Sequence, residues 1–451
     1  MELPVDVGVI YEGERISRED AFVELGGSET GVELLRVVSS EEIEDGAVKI
    51  TGEDFSGMEE GKAYPFGLLV RIAGEKLEED VEGVLERRIH EFVNYIQGVM
   101  HQNSRDRVLV RVRKDAVAKG LTLTDIGRAL IQLLKKEYRA IERAEVQIFT
   151  RKEEVESLLT EAREVYRRRD EKAAKLRDED VDVFYGCTMC QNHAANHACI
   201  IAPSRVSGCG VISWLEARAA VKIGEGAIFE VPKGKVIDES KGEFEGVNKA
   251  IADKSRGATT RLYLHSLFDY PHTQCSCAQA MVFYIPEVDG FGIVDSNFKG
   301  KTPFGMNFST LIKQVGNGSQ HPGFIGIGLA YLRSPKFLQG DGGWSRVVWM
   351  PSHLKESLRE VIPPEIYERI ATEKKAEDLE ALVKFLEEKG YKLPSKEEVA
   401  EEAPAQEAEE AQPAAAQVVH ALPRRRVTVA FINSTFHFKK LIITTEKEKN
   451  I

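Results

Sequence analysis

Apolar runs at Leu34-Leu35-Arg36-Val37-Val38, Leu68-Leu69-Val70-Arg71-Ile72 and Val108-Leu109-Val110-Arg111-Val112 predict β-strands. Between the last two, Leu85, Ile89, Phe92 and Ile96 recur at spacings of 4-3-4, which is one face of a helix. A second helix is predicted to open at Thr124 as N-cap and to bury Ile126, Leu130, Leu133 and Leu134. It leads to a further strand at Val146-Gln147-Ile148-Phe149. Strands alternating with helices favour βαβ units, so residues 1–150 read as an α/β domain.

The pattern then changes. Lys152 to Asp180 is highly charged, with Val155, Leu158, Leu159, Ala162 and Val165 on one side, and predicts a linker helix over 151–182. Residues 183–394 mix strands (Met281 to Ile285, Phe291 to Val294, Arg346 to Met350) with a helical end from Pro364 to Gly390. Residues 395–423 are mostly Glu, Ala, Pro and Gln, too poor in apolar side chains to offset their ordering entropy, and predict a flexible linker. Residues 424–451 form a basic tail in which Arg424-Arg425-Arg426 precede strand-like runs at Val427 to Ile432 and Phe436 to Ile443. A docking module for an acidic partner subunit is one reading of it, and a disordered tail or a small added hairpin is the other. The expected fold class is therefore multidomain, α/β then α+β.

Composition narrows the function. A hydrophobic fraction of 42% in 451 residues suffices for buried cores. No apolar run reaches the roughly 18 residues of a membrane span. Met1-Glu2-Leu3-Pro4 has neither a basic end nor an apolar signal core, so a cytoplasmic location is expected. The net charge of -12 argues against a nucleic-acid partner, because phosphate binding needs a basic face. Charged residues at 30% lean toward surface ion-pair networks of a thermophilic kind.

The chemistry lies in six cysteines. Cys187, Cys190, Cys199 and Cys209 are written C-x2-C-x8-C-x9-C, and Cys275-Ser276-Cys277 follows. In a reducing compartment such clusters point to metal or redox chemistry. A zinc site of four cysteines usually uses two short C-x2-C pairs, whereas iron–sulfur clusters accept looser spacing, which this set favours. In Cys275-Ser276-Cys277 two sulfurs and the backbone nitrogens of Ser276 and Cys277 suit a square-planar N2S2 chelate for Ni(II) or Cu(II). The other reading is a buried or redox-active pair.

The run Phe184-Tyr185-Gly186-Cys187-Thr188-Met189-Cys190-Gln191-Asn192-His193, continuing to Cys199 and to Cys209-Gly210, resembles the cluster-binding segment of the acetyl-CoA synthase family. Gly305-Met306-Asn307-Phe308-Ser309, His321-Pro322-Gly323-Phe324, Asp341-Gly342-Gly343-Trp344 and Leu85-Glu86-Arg87-Arg88-Ile89-His90 fit as well. Size and tail resemble the β subunits of archaeal acetyl-CoA decarbonylase/synthase complexes, in the CO dehydrogenase/acetyl-CoA synthase system. The resemblance implies an acyltransferase that forms or cleaves acetyl-CoA from CO, a methyl group on a corrinoid iron–sulfur protein and coenzyme A, alongside CO dehydrogenase subunits. It implies a [4Fe–4S] cluster on Cys187, Cys190, Cys199 and Cys209. It implies two nickel ions, one bridged by Cys190, Cys275 and Cys277, the other also held by the backbone nitrogens of Ser276 and Cys277. Ser276 stands where the family has glycine, and His193 where bacterial members have phenylalanine. His193 and His197 are candidates to donate to a cluster sulfur, packing and capping of the loop being the other reading. Arg205 is a candidate to balance cluster charge. The segment Gly323 to Gly328 is neither G-x-G-x-x-G nor a P-loop and reads as turn-forming backbone. The competing functions are a non-catalytic iron–sulfur electron carrier and a zinc-stabilised interaction module.

Overall fold

The apolar runs of the N-terminal region pair into two four-stranded sheets. The computed structural model describes residues 3–105, 107–191 and 193–394, so the linker and basic tail expected over 395–451 lie outside the described residues. Strands β1 (Ala21–Gly26), β2 (Gly31–Val37), β3 (Val48–Thr51), β4 (Ala63–Tyr64) and β5 (Phe66–Ala73) precede helix α1 (Glu82–Asn94). Then come β6 (Val99–Ser104), β7 (Arg107–Arg113), α2 (Lys114–Ala118), α3 (Leu123–Glu137), β8 (Arg143–Phe149) and α4 (Lys152–Ala173). One sheet runs β4-β1-β7-β6 and the other β2-β5-β8-β3. In the second, β2 lies parallel to β5 and β3 parallel to β8, while β5 and β8 are antiparallel. The sheet is mixed, where βαβ units alone predict a parallel one.

Helix α3 starts two residues earlier than its apolar pattern predicts. Thr122, not Thr124, is the N-cap, because Asp125 at the third helical position completes a capping box with it. The Thr122 hydroxyl accepts from the Asp125 N–H at 3.1 Å, and the Asp125 carboxylate accepts from the Thr122 N–H at 3.1 Å. Ile126, Leu130 and Leu134 are buried as the pattern predicts, while Leu133 is only partly so. Helix α4 lays Val155, Leu158, Ala162 and Val165 on Val32 and Leu34 of β2, a covering layer for the sheet. It stops at Ala173 and not at Asp180. Asp178 beyond it is held elsewhere, accepting from the Ser204 N–H at 2.8 Å and hydroxyl at 2.6 Å.

The remainder carries β9 (Val183–Cys187), β10 (Cys199–Ile201), α5 (Trp214–Lys222), β11 (Ile228–Pro232), β12 (Val236–Asp238), β13 (Glu243–Phe244) and α6 (Glu245–Lys254). After these come β14 (Ala280–Ile285), β15 (Gly290–Asp295), α7 (Phe308–Val315), β16 (Phe324–Ile327) and β17 (Val347–Trp349). The chain then makes α8 (Ser352–Ser357), α9 (Pro364–Tyr367) and α10 (Leu379–Glu388). The sheets are β10-β9-β11, β12-β13 and β16-β14-β15-β17. Helical continuity from Pro364 to Gly390 does not hold. Ala371 instead pairs with Trp349, donating to the Val348 carbonyl at 2.8 Å and accepting from the Met350 N–H at 3.1 Å. The segment Gly323 to Gly328 is mostly strand β16, with a turn only at Gly323, whose φ is 84°.

Helix α1 has two buried stripes. Leu85, Ile89 and Phe92 enter the N-terminal core, together with Ile96 just past the helix end. Val84, about 100° away around the helix, packs instead with Tyr185, Cys187, Met189, Ile201 and Ile212. Residues 84, 87, 88 and 91 share that second stripe by helical spacing. The helix is thus a wedge between the sheets of the first region and the cysteine-bearing β9–β10 pair. Among the described residues, no helix is long and apolar enough to cross a membrane.

Candidate metal centre

Cys187 and Cys199 end β9 and begin β10, and are opposed residues of that antiparallel pair. The sharp loop between them is built on Cys190, whose carbonyl accepts from the His193 N–H at 3.0 Å and the Ala194 N–H at 2.9 Å. Thr188 fastens the loop to β11 by donating from its N–H to the Ala227 carbonyl at 2.9 Å. Cys209 lies in a turn closed by the Gly210 N–H on the Ser207 carbonyl at 2.8 Å. Gly210 has φ of 73°, and a β-carbon there would sit 1.9 Å from Gln279 Oε1, so both backbone and space require glycine. The Ser207 hydroxyl lies 3.2 Å from Cys209 Sγ.

Cys275 and Cys277 occupy the approach to β14. Cys275 bridges to Asn317 in antiparallel fashion, which brings the end of α7 against the Cys275–Ser276 peptide. A β-carbon on Gly316 would lie 2.9 Å from Ser276 N and 3.0 Å from Cys275 C. Glycine is required there because the two backbones touch.

All six cysteines line one cavity, together with His197, Arg205, His272, Thr273 and Gln274. The sulfurs of Cys190, Cys275 and Cys277 lie within 4.8 Å of one another, and Cys190 Sγ is 3.7 Å from Cys277 Sγ. The Cys275 and Cys277 sulfurs lie side by side across Ser276, on the same side as Cys190.

Electrostatics and hydrogen bonding suit a cationic guest. Burial pushes the Cys190 thiol up to about 11 and the Cys199 thiol up to about 12, and raises Cys187 well above the ordinary thiol range. Buried sulfurs of this kind stay protonated until a metal supplies the positive charge that stabilises thiolates. Gln274 is 2% exposed, and both its amide nitrogen and its amide oxygen lack a partner among the described residues. The donor set, soft sulfur at several corners with an unsatisfied amide beside it, fits a thiolate-held metal cluster.

His197 and Arg205 line the cavity. His197 Nδ1 lies 3.0 Å from Thr273 Oγ1, and burial lowers its pKa to about 4, so the ring is neutral at pH 7. Arg205 is buried, donates to the Leu264 carbonyl at 2.7 Å and lies over the Tyr331 ring. His193 is not brought in: its backbone closes the Cys190 turn while its side chain is exposed, outside the cavity lining. Sequence reasoning missed His272, Gln274 and Gly316, whose types carry no spacing signal. It also missed Arg87, although its motif was noticed.

Known proteins resemble this chain over most of its length. The profile of the "CO dehydrogenase/acetyl-CoA synthase complex beta subunit" family matches residues 3–155, and that of the C-terminal part of the ACS/CODH beta subunit matches 166–398. The chain is 53% identical over 389 residues to the acetyl-CoA decarbonylase/synthase complex subunit beta of Methanopyrus kandleri, covering 86% of this chain and 83% of that protein. The chain belongs to the ACS/CODH beta-subunit family. Subunit beta 1 of the same complex from Methanocaldococcus jannaschii is 51% identical over 405 residues, 89% of this chain but only 54% of that protein. The Methanothermobacter thermautotrophicus subunit beta is 47% identical, covering 90% of this chain and 88% of its own. A solved C-terminal domain of an acetyl-coenzyme A synthase alpha subunit is 37% identical over 26% of this chain and 93% of its own, with a TM-score of 0.24. In this ACS/CODH family member, all six cysteines fall within the region matched by the second profile.

Proposed function

We propose that this chain forms or cleaves acetyl-CoA, joining CO, a corrinoid-bound methyl group and the thiol of coenzyme A, as an acyltransferase subunit working beside CO dehydrogenase. The observation that carries the proposal is the convergence on one cavity of six cysteines from two separate segments, Cys187 to Cys209 and Cys275 to Cys277. Cys187, Cys190, Cys199 and Cys209 would hold a [4Fe–4S] cluster. Cys190, Cys275 and Cys277 would share one nickel, and Cys275, Cys277 and the backbone nitrogens of Ser276 and Cys277 would hold a second. Such a centre, when bound, supplies an open metal position where a methyl group and CO are joined and passed to a thiolate.

The protein's own part is placement and exclusion. The β9–β10 register sets Cys187 opposite Cys199, and the Cys190 turn presents its sulfur to the second pair. Gly316 supports the peptide whose nitrogen is needed as a ligand. Buried Ala278, Gly326 and Thr273 line the cavity, and water excluded from such a wall strengthens every electrostatic interaction inside it. Neutral His197, fixed on Thr273, presents a ring with no charge to compete with a metal.

The test is acetyl-CoA formation from methylated corrinoid protein, CO and coenzyme A by chain reduced and loaded anaerobically with iron, sulfide and nickel. About two nickel per four iron and methyl-dependent acetyl-CoA are expected. Iron without nickel, and no product, would reduce the protein to an electron carrier.

A further inference from the structure

Arg87 and Arg88 are consecutive on the stripe of α1 that faces the cysteines, and the two are satisfied in different ways. Arg88 donates to Tyr138 Oη at 2.9 Å and to both Glu225 oxygens at 3.0 and 2.9 Å, and pairs with Glu91. Arg87 Nη1 is buried with no hydrogen-bond partner among the described residues. Its guanidinium lies beside Cys190. Glu91, the carboxylate on the same stripe, is already engaged by Arg88. An unpaired buried cation is strongly disfavoured unless something of opposite charge faces it.

What faces it is sulfur. Cys190 and Cys209 are its nearest ionisable neighbours, with Glu91 after them, and these sulfurs become anionic once a metal is bound. Arg205, which lines the cavity, already donates to the Leu264 carbonyl and lies over the Tyr331 ring. Arg87 keeps a buried N–H without a partner among the described residues, on a guanidinium that adjoins Cys190 of the cluster loop. It comes from outside the β9–β10 segment, on a helix whose other stripe is locked in the N-terminal core.

We propose that Arg87 is a positioning residue of the metal centre: its orphan Nη1–H, delivered by α1, balances the negative charge of the thiolate-held cluster at Cys190 and Cys209. The inference rests on the proposed iron–sulfur and nickel reading. A fixed positive charge in a dry site favours the more negative, one-electron-reduced state of a cluster over the oxidised one. Losing that charge therefore makes the centre harder to reduce.

The test uses the full chain, reconstituted anaerobically, as wild type, Arg87→Gln and Arg87→Lys, with iron and nickel content, a spectroelectrochemical titration and thermal unfolding of the metal-free protein as readouts. Arg87→Gln is expected to lower the reduced-to-oxidised ratio at fixed potential about tenfold, a shift of about 59 mV for one electron. Arg87→Lys is expected to recover most of that shift, and metal-free Arg87→Gln to unfold no earlier than wild type. Iron uptake by the Lys but not the Gln variant also supports the charge role. An unchanged potential in fully loaded Arg87→Gln overturns the proposal, as does a Lys variant that behaves like Gln. So does a metal-free Gln variant that unfolds well below wild type. Failure of wild type to bind iron would instead sink the proposed function and is read separately.

Discussion

The N-terminal sheets and the cysteine cavity differ in how their buried acceptors are met, although Arg71 Nε and Arg169 Nε of the first region also lack partners among the described residues. In the first region, buried carboxylates are met by the protein itself. Glu145 accepts from Arg71 at 2.5 Å, Gln147 at 2.7 Å and the Glu44 N–H at 3.0 Å, while Glu24 accepts from Arg111 at 2.9 Å. Glu33 is held by His101 and by Asn103 at 2.8 Å. In the cavity, Gln274 has neither amide atom satisfied and thiols are pushed far from ionisation, and beside it Arg87 of α1 has an orphan nitrogen. A satisfied network specifies one structure; an unsatisfied one is a binding site awaiting its guest.

The sharpest way to break this contrast is at Ser276. Ser276→Pro removes the backbone N–H that the nickel reading needs and is expected to bring nickel content to background while iron remains, as elemental analysis would report. Ser276→Gly is expected to leave both metals in place. A Ser276→Pro chain that retains nickel would refute ligation through that amide.

Next is Gly316→Ala. Its added carbon would meet Ile312 O at 2.5 Å and Ser276 N at 2.9 Å, so the loop or the end of α7 must shift. An overpacking cost of about 1–3 kcal/mol is expected, with nickel lost in preference to iron. Urea unfolding and metal analysis on one preparation separate the two effects.

Acid supplies a smaller effect. Burial works to raise the Asp178 pKa, but hydrogen bonds from His265 and Ser204 and the charge of His265 win and hold it at about 2. A carboxylate depressed in the fold adds stability that is complete above its ordinary value of 3.8 and fades as pH falls through about 2. Metal-free protein is expected to lose this contribution across that window, and Asp178→Asn to flatten the loss. Identical acid curves for the two proteins would remove Asp178 as its source.

The smallest change belongs to the first region. Thr122→Ala breaks the capping box of α3 and is expected to cost about 1 kcal/mol with no change in metal content. A change in metal content would show that the two regions are coupled through α3.

Much of this was legible locally, because local rules govern it. The strands at Leu34, Leu68, Val108, Val146, Met281 and Phe291 lie where their apolar runs predict, and the buried face of α1 follows its 4-3-4 spacing. What escaped was decided at long range. The helical reading of 364–390 fails because Ala371 finds Trp349 as a strand partner, and α4 stops short of Asp178, which pairs with Ser204 and His265. In the site, cysteine spacing gave the ligand candidates because thiols are rare and chemically distinctive. Gln274, His272 and Gly316 are common residue types whose importance comes only from what they face. Arg87 was visible as part of a helical motif, but nothing in one sequence says that the polar stripe of an amphipathic helix is covered by a second region.

Helix α1 also ties events at the cavity to distant backbone. One stripe is set among the strands of the first region and the other against the cysteine sheet, so a guest that rigidifies the cavity must steady the helix too. Free energy gained on loading would then be shared with residues that never approach a metal. Amide exchange in β6, packed on the far side of that helix, is expected to slow when the cavity fills, so the N-terminal sheets would report occupancy from a distance.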